Sequence, residues 1–228
     1  MDKKERKSSI DLLRVLSAFA VIVIHIVSAP VTNSNTEIDI SIVNTLNTIH
    51  VLMNWAVPVF FMITGYCLLQ KAEVTYRYCF NHVAKYIGVL FSVGLSYALM
   101  ELIFSAKTIN AWIIVEAIKN VIVGNIWDHM WFVYEIIGIY LVMPVIHTFM
   151  QQGRKNILVL TSLLFVFGIL LPTLEKYVDV GINIPFGGYL FYVCLGGGIS
   201  QNNSRLQFAV RGMATCFAFY WIYNLFCQ

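Results

Sequence analysis

Hydrophobic and polar positions along this chain do not alternate. They gather into long apolar blocks separated by short polar breaks. A helix that crosses a bilayer needs about 20 mostly apolar residues. Seven stretches fit that description: 10–29, 51–70, 80–104, 130–150, 156–172, 184–200 and 206–227. Pro58 lies in the second and predicts a kink, which a membrane helix tolerates. The sixth is short and rich in glycine, FGGYLFYVCLGGGIS. Its Gly196–Gly198 run has no Lys-Ser/Thr after it, so it reads as a small-residue packing surface rather than a phosphate loop. The stretch AWIIVEAIKNVIVG (111–124) is apolar but carries Glu116 and Lys119, which predicts an interfacial helix. The pattern predicts an all-α polytopic transmembrane helix bundle of about seven spans, with no internal repeat and no soluble second domain.

Composition supports that reading. Hydrophobic residues make up 59% of the 228 and charged residues 12%, about half the charge of an average soluble domain. Mean hydropathy is +0.74. So little charge cannot cover a globule in water, and lipid is the expected partner. The net charge of +3 gives no footprint for nucleic acid. Cys67, Cys79, Cys194, Cys216 and Cys227 contain no C-x-x-C pair, so they read as small apolar residues without a disulfide framework or zinc spacing. No His/Cys/Asp/Glu cluster has metal-ligand spacing. The first apolar block follows a basic start, KKERK, as a signal peptide would. It is too long for a signal core and an arginine interrupts it, so it reads as a retained span.

Lysine and arginine set the orientation. With the N-terminus in the cytoplasm, the inner segments hold Lys3, Lys4, Arg6, Lys7, Lys71, Arg77, Lys85, Arg154, Lys155, Arg205 and Arg211. The outer ones hold Lys107, Lys119 and Lys176. The first outer loop, from Pro30 to Ile40, has no Lys or Arg.

The first block, DLLRVLSAFAVIVIHIVSAP (11–30), carries Arg14 and His25. Eleven residues at ~100° each make three turns plus about 20°, so both lie on one helix face, about 16 Å apart along the axis. Asp11 and Ser28 share that face. An arginine inside a span costs at least ~2.5 kcal/mol and usually marks a cavity, pathway or site. Two readings stay open on these residues alone. Arg14 either snorkels to the headgroups and pairs with Asp11, or it lines a polar cavity with His25. A transporter or channel with an Arg14–His25–Glu135 path would use the same residues. It would be expected to repeat mid-span charges in several helices, which this chain does not.

An arginine, ten residues and a histidine in the first span resembles the signature of the acyltransferase 3 family of membrane acyltransferases. VPVFFMITGYCLL (57–69), DHMWFVYEIIGIYLVMP (128–144) and FGGYLFYVCLGGG (186–198) resemble further segments of that family, in order. The resemblance implies transfer of an acyl group, usually acetyl, from a coenzyme A thioester on the inner side. The acceptor it implies is a hydroxyl of a carbohydrate or cell-envelope component, and the location a bacterial inner membrane. His25 matches the family's catalytic histidine and Arg14 its donor-binding arginine. A histidine suits proton removal near working pH, and a covalent acyl-histidine is equally compatible with the residue. Arg77 and Lys85 are expected on the acetyl-CoA phosphates, although the family's arginine pair is replaced here by Arg77, His82 and Lys85. Ordinary positive-inside anchoring is the competing reading for both. His129 and Trp131 are expected at the acceptor side, with Glu135 four residues on as an intramembrane acid. His50, His82 and His147 sit near span ends and read as structural, and Glu101 as interfacial. Family members generally have about ten spans, so the chain is expected to be one acyltransferase domain over residues 1–228, truncated at its C-terminal side. An inactive remnant is the alternative.

Overall fold

The computed structural model describes residues 8–32, 39–105, 112–126, 130–172 and 188–200. Among them every regular element is a helix, with no strand. The helices are α1 (Ser8–Thr32), α2 (Ile40–Met53), α3 (Ala56–Leu69), α4 (Tyr76–Val89), α5 (Leu95–Ser105), α6 (Trp112–Val123), α7 (Trp131–Gln151), α8 (Arg154–Phe165) and α9 (Gly188–Ser200). Widened π turns at Leu90–Gly94 and Val166–Leu170 follow α4 and α8. Chain contacts group Met1–Lys71 with Gly153–Gln228 in one compact unit and Ala72–Gln152 in a second.

Four described helical segments are long and apolar enough to cross a membrane: Ser8–Ser28, Ile40–Leu69, Tyr76–Phe104 and Trp131–Gln151. The expected count of seven is not reached among the described residues. The fifth and sixth expected spans fall on shorter apolar helices, Lys155–Leu170 and Gly188–Ile199. At 1.5 Å per residue these reach about 24 Å and 18 Å, short of a ~30 Å hydrocarbon core. The seventh, 206–227, lies outside the described residues. Trp112–Val123 is indeed a separate helix, about 18 Å long.

The second segment begins eleven residues earlier than its apolar block. In α2, ISIVNTLNTIHVLM, Val43, Leu46, Ile49, His50 and Met53, all but one of the half-buried positions, recur at helical spacing. Its threonines lose their polarity locally: Thr45 and Thr48 donate to the carbonyls of Ser41 and Asn44, each at 2.8 Å. Asp39 caps the helix by accepting from the Ser41 amide at 3.0 Å. Pro58 does not kink the span midway. It occupies the first turn of α3, and the helix breaks four residues earlier at Asn54–Trp55. Proline has no N–H for that carbonyl and its ring crowds it, so the break falls there.

In the first unit α3 packs on α9, α1 on α2 and α3, and α8 on α9. Residues 191–198 of α9 are buried without interruption. Only glycines permit this approach. A methyl on Gly65 would fall within the Val193 carbonyl, 2.6 Å from its carbon, and one on Gly196 would fall within the Met62 carbonyl, 2.7 Å from its carbon. Phe61 packs tilted against Tyr189, ring centroids 4.7 Å apart, and Phe165 against Phe191 at 5.6 Å.

In the second unit the core is Leu90, Ala98, Ala117, Val121 and Met130, contributed by the first π turn, α5, α6 and the approach to α7. Ile113, Ala117 and Val121 form the buried stripe of α6. Gly124, at φ +82°, ends that helix, and the Asn125 amide donates back to the Asn120 carbonyl at 2.9 Å. The Tyr134 hydroxyl donates to the Val121 carbonyl and ties α7 to α6.

The glycine seam predicts an asymmetric response to added bulk. Gly65→Val or Gly196→Val forces backbone against backbone, which costs more than the ~1–3 kcal/mol of ordinary overpacking. Each should abolish the monodisperse peak in detergent gel filtration. Gly138→Ala, where nothing lies within 4 Å, should keep the peak and its thermal midpoint.

Candidate functional site

Helix α1 carries the signature pair, and packing divides it into faces. Ser17, Ala20, Ile24 and Val27 are buried, at i, i+3, i+7 and i+10. Leu12, Val15, Phe19, Ile22 and Ile26 are exposed and present an apolar surface suited to lipid. Arg14 and His25 lie together on the edge of the packed face. Arg14 is exposed and His25 half-buried. One uninterrupted helix carries both, so their common face and ~16 Å separation stand as expected. They do not meet each other.

The Arg14 guanidinium meets two groups. Nη1 pairs with Asp11 Oδ1 at 3.4 Å, and Nη2 donates to Cys67 Sγ of α3 at 3.2 Å. The Arg14 side chain is 47% exposed and that of Asp11 31%. A pair so exposed is worth only about 0–1 kcal/mol, so it orients more than it stabilises. Ser28 donates to the Ile24 carbonyl at 2.7 Å, which removes it from the polar stripe. Ser17 is different. It is fully buried, and its hydroxyl has no hydrogen-bond partner among the described residues.

Arg77 and Lys85 both lie on α4, which begins at Tyr76, where Thr75 accepts from the Tyr78 amide at 3.3 Å. With Asn81 they form an exposed i, i+4, i+8 row. Neither makes an ion pair among the described residues. The adjacent row, Tyr78, His82 and Tyr86, faces α7. His82 stacks on Tyr140 at 5.1 Å with planes 6° apart, and Tyr78 and Tyr86 pack against the same two rings. His82 Nδ1 is 2.9 Å from the Tyr78 carbonyl. His82 is therefore a packing residue of that ring ladder. His147, also read as structural, is buried in α7 and 3.3 Å from Gln151 Nε2.

Of the three acceptor-side candidates, Trp131 and Glu135 share one face of α7, exposed and half-buried respectively. Glu135 forms no hydrogen bond or ion pair among the described residues. His129 lies outside the described residues. No group of three His, Cys, Asp or Glu side chains among them could hold a metal ion.

Sequence reasoning missed Cys67 and Ser17. The sequence offers a depth for the first and an angle for the second, but not the contact itself. Cys67 lies three residues from the end of its apolar block and Arg14 four from the start of its own, so opposed spans put them at one depth. Ser17 is three residues past Arg14, about 60° away around α1.

Helices long and apolar enough to cross a bilayer, one of them carrying an arginine and a histidine on a single edge, mark a helical membrane protein. The chain belongs to the acyltransferase 3 family: its profile, described as an acyltransferase domain, matches residues 7–228. An amino-acid racemase of Enterococcus faecalis is 32% identical over 174 residues, covering 73% of this chain and 23% of the racemase. The aligned part is thus under a quarter of that relative's length. No solved structure matches the chain significantly.

Ser17→Ala removes a buried hydroxyl that makes no bond among the described residues, so it should leave the thermal midpoint unchanged or raise it, by up to ~1 kcal/mol of stability. Scanning fluorimetry of the purified pair checks this. A fall of several degrees would show that the hydroxyl meets a partner.

Proposed function

We propose that this chain is a membrane O-acyltransferase. It moves an acyl group, acetyl in the simplest case, from a coenzyme A thioester to a hydroxyl of a carbohydrate or cell-envelope acceptor. The observation that carries this reading is the Arg14–His25 pair on one edge of α1, in a chain whose whole length matches the acyltransferase family. The N-terminus and the donor face the cytoplasm, as the Lys and Arg distribution favours, and the membrane is the plasma membrane.

The chemistry follows from the residue types. His25 accepts the proton of the acceptor hydroxyl as its oxygen attacks the thioester carbonyl carbon. The carbonyl oxygen takes up negative charge in the tetrahedral intermediate. The carbon–sulfur bond then breaks, the acyl group stays on the acceptor oxygen, and the departing thiolate takes the proton from His25. Arg14 sits too far along α1 to serve that oxygen. It binds the anionic donor instead, and its guanidinium suits phosphate geometry. Arg77 and Lys85, neither holding an ion pair among the described residues, are assigned to the donor side on residue type alone. Trp131, Glu135 and His129 serve the acceptor. The racemase activity named for the relative stays with that protein, since the aligned part is 23% of it.

Acetyl-CoA binding to purified protein, read by calorimetry, tests the assignment. Arg14→Ala should weaken binding about 10- to 100-fold, the loss of a charged hydrogen bond. His25→Ala should bind as the parent does and lose about 10²–10⁴ in transfer rate. Binding that is indifferent to Arg14, or transfer that survives without His25, would overturn the roles given.

A further inference from the structure

We infer that Cys67 is a positioning residue for Arg14. The inference rests on the proposed donor site and adds to it a residue on a different helix. An arginine on a lone helix has a long stem and much rotamer entropy to lose when its fork is fixed. Asp11 cannot fix it alone. It lies one turn back on the same helix, 3.4 Å away, and restrains the guanidinium only along α1. Cys67 approaches from α3 and meets Nη2 at 3.2 Å, so the two contacts hold the fork from two directions.

The residue type fits this task. Sulfur is a weak acceptor. A second carboxylate beside Asp11 would add negative charge against an anionic donor, whereas a neutral thiol orients the guanidinium without adding any. Guanidinium has five N–H donors. Two are taken by Asp11 and Cys67, which leaves others for a phosphate or an amide of the donor arm. Burial separates Cys67 from the other described cysteines as well: Cys79 and Cys194 are buried in helix packing, while Cys67 is only half-buried.

The test compares Cys67→Val, which stays apolar and removes the acceptor, with Cys67→Ser, which keeps an acceptor. Acetyl-CoA affinity should fall about three- to tenfold in Cys67→Val and return to within about twofold in Cys67→Ser. In a double-mutant cycle, Arg14→Ala with Cys67→Val should bind no more weakly than Arg14→Ala alone. A second readout needs no ligand: the Arg14 side-chain 15N signals, assigned with Arg14→Lys, should be slowed in the parent and in Cys67→Ser and averaged in Cys67→Val. Parental affinity and unchanged Arg14 signals in Cys67→Val would overturn the inference while the donor site stands. If Arg14→Ala itself binds normally, the donor reading falls. The nitrogen signals then still decide whether Cys67 orders the arginine.

Discussion

Hydrocarbon offers no hydrogen bonds, and most of this structure answers that constraint. Every polar group on a membrane-crossing helix must find a partner within the protein or reach the water at an edge. The side-chain hydroxyls show the local solution. Ser28, Thr64, Ser96, Thr148 and Thr161 each donate to the carbonyl four residues earlier, at 2.6–2.9 Å. Such residues cost the helix nothing in unsatisfied polarity and need no neighbour. Two α1 side chains stand apart from this solution. Ser17 is buried without a hydrogen-bond partner among the described residues, and Arg14 reaches across to another helix. Where a chain departs from a rule that it otherwise keeps, function is the expected reason.

The glycine seam and the arginine depend on the same element. Helix α3 presents Gly65 to α9 and Cys67 to α1, two residues apart and so on different sides of the helix. The tight α3–α9 contact leaves α3 little freedom to rotate. That rigidity passes to the thiol that meets Arg14. A site held by a helix whose rotation is fixed by backbone contact is more exactly placed than one held by a loop.

What the sequence made legible depended on period. The common face of Arg14 and His25 followed from an eleven-residue spacing, and the structure keeps them on one helix. The separate helix at 112–123 followed from charges set in an apolar run. Two features did not follow. Helix α2 was hidden because Asn44, Thr45, Asn47 and Thr48 lower its hydropathy, yet threonine can satisfy itself against the helix backbone and keep the fold. The Arg14–Cys67 contact joins residues 53 apart, and no periodicity along one chain segment encodes a meeting between two. The roles of Arg77, Lys85, Trp131 and Glu135 rest on residue type and helix face alone.

The π turn at Leu90–Gly94 has a geometric effect on the third membrane segment. Buried residues at four-residue steps drift by ~40° per step around a regular α-helix. Cys79, Val83, Leu90, Gly94 and Ala98 are buried in this segment, and in an unbroken α-helix the last would have swung about 100° from the first. A widened turn rotates each residue by less and takes part of that drift back. The turn therefore acts as a phase correction. It lets one long span keep a nearly straight buried line without the supercoil that a drifting stripe would otherwise require. Length and rotation become separately adjustable in this segment, so a residue gained or lost at the wide turn changes which side faces inward more than how far the helix reaches.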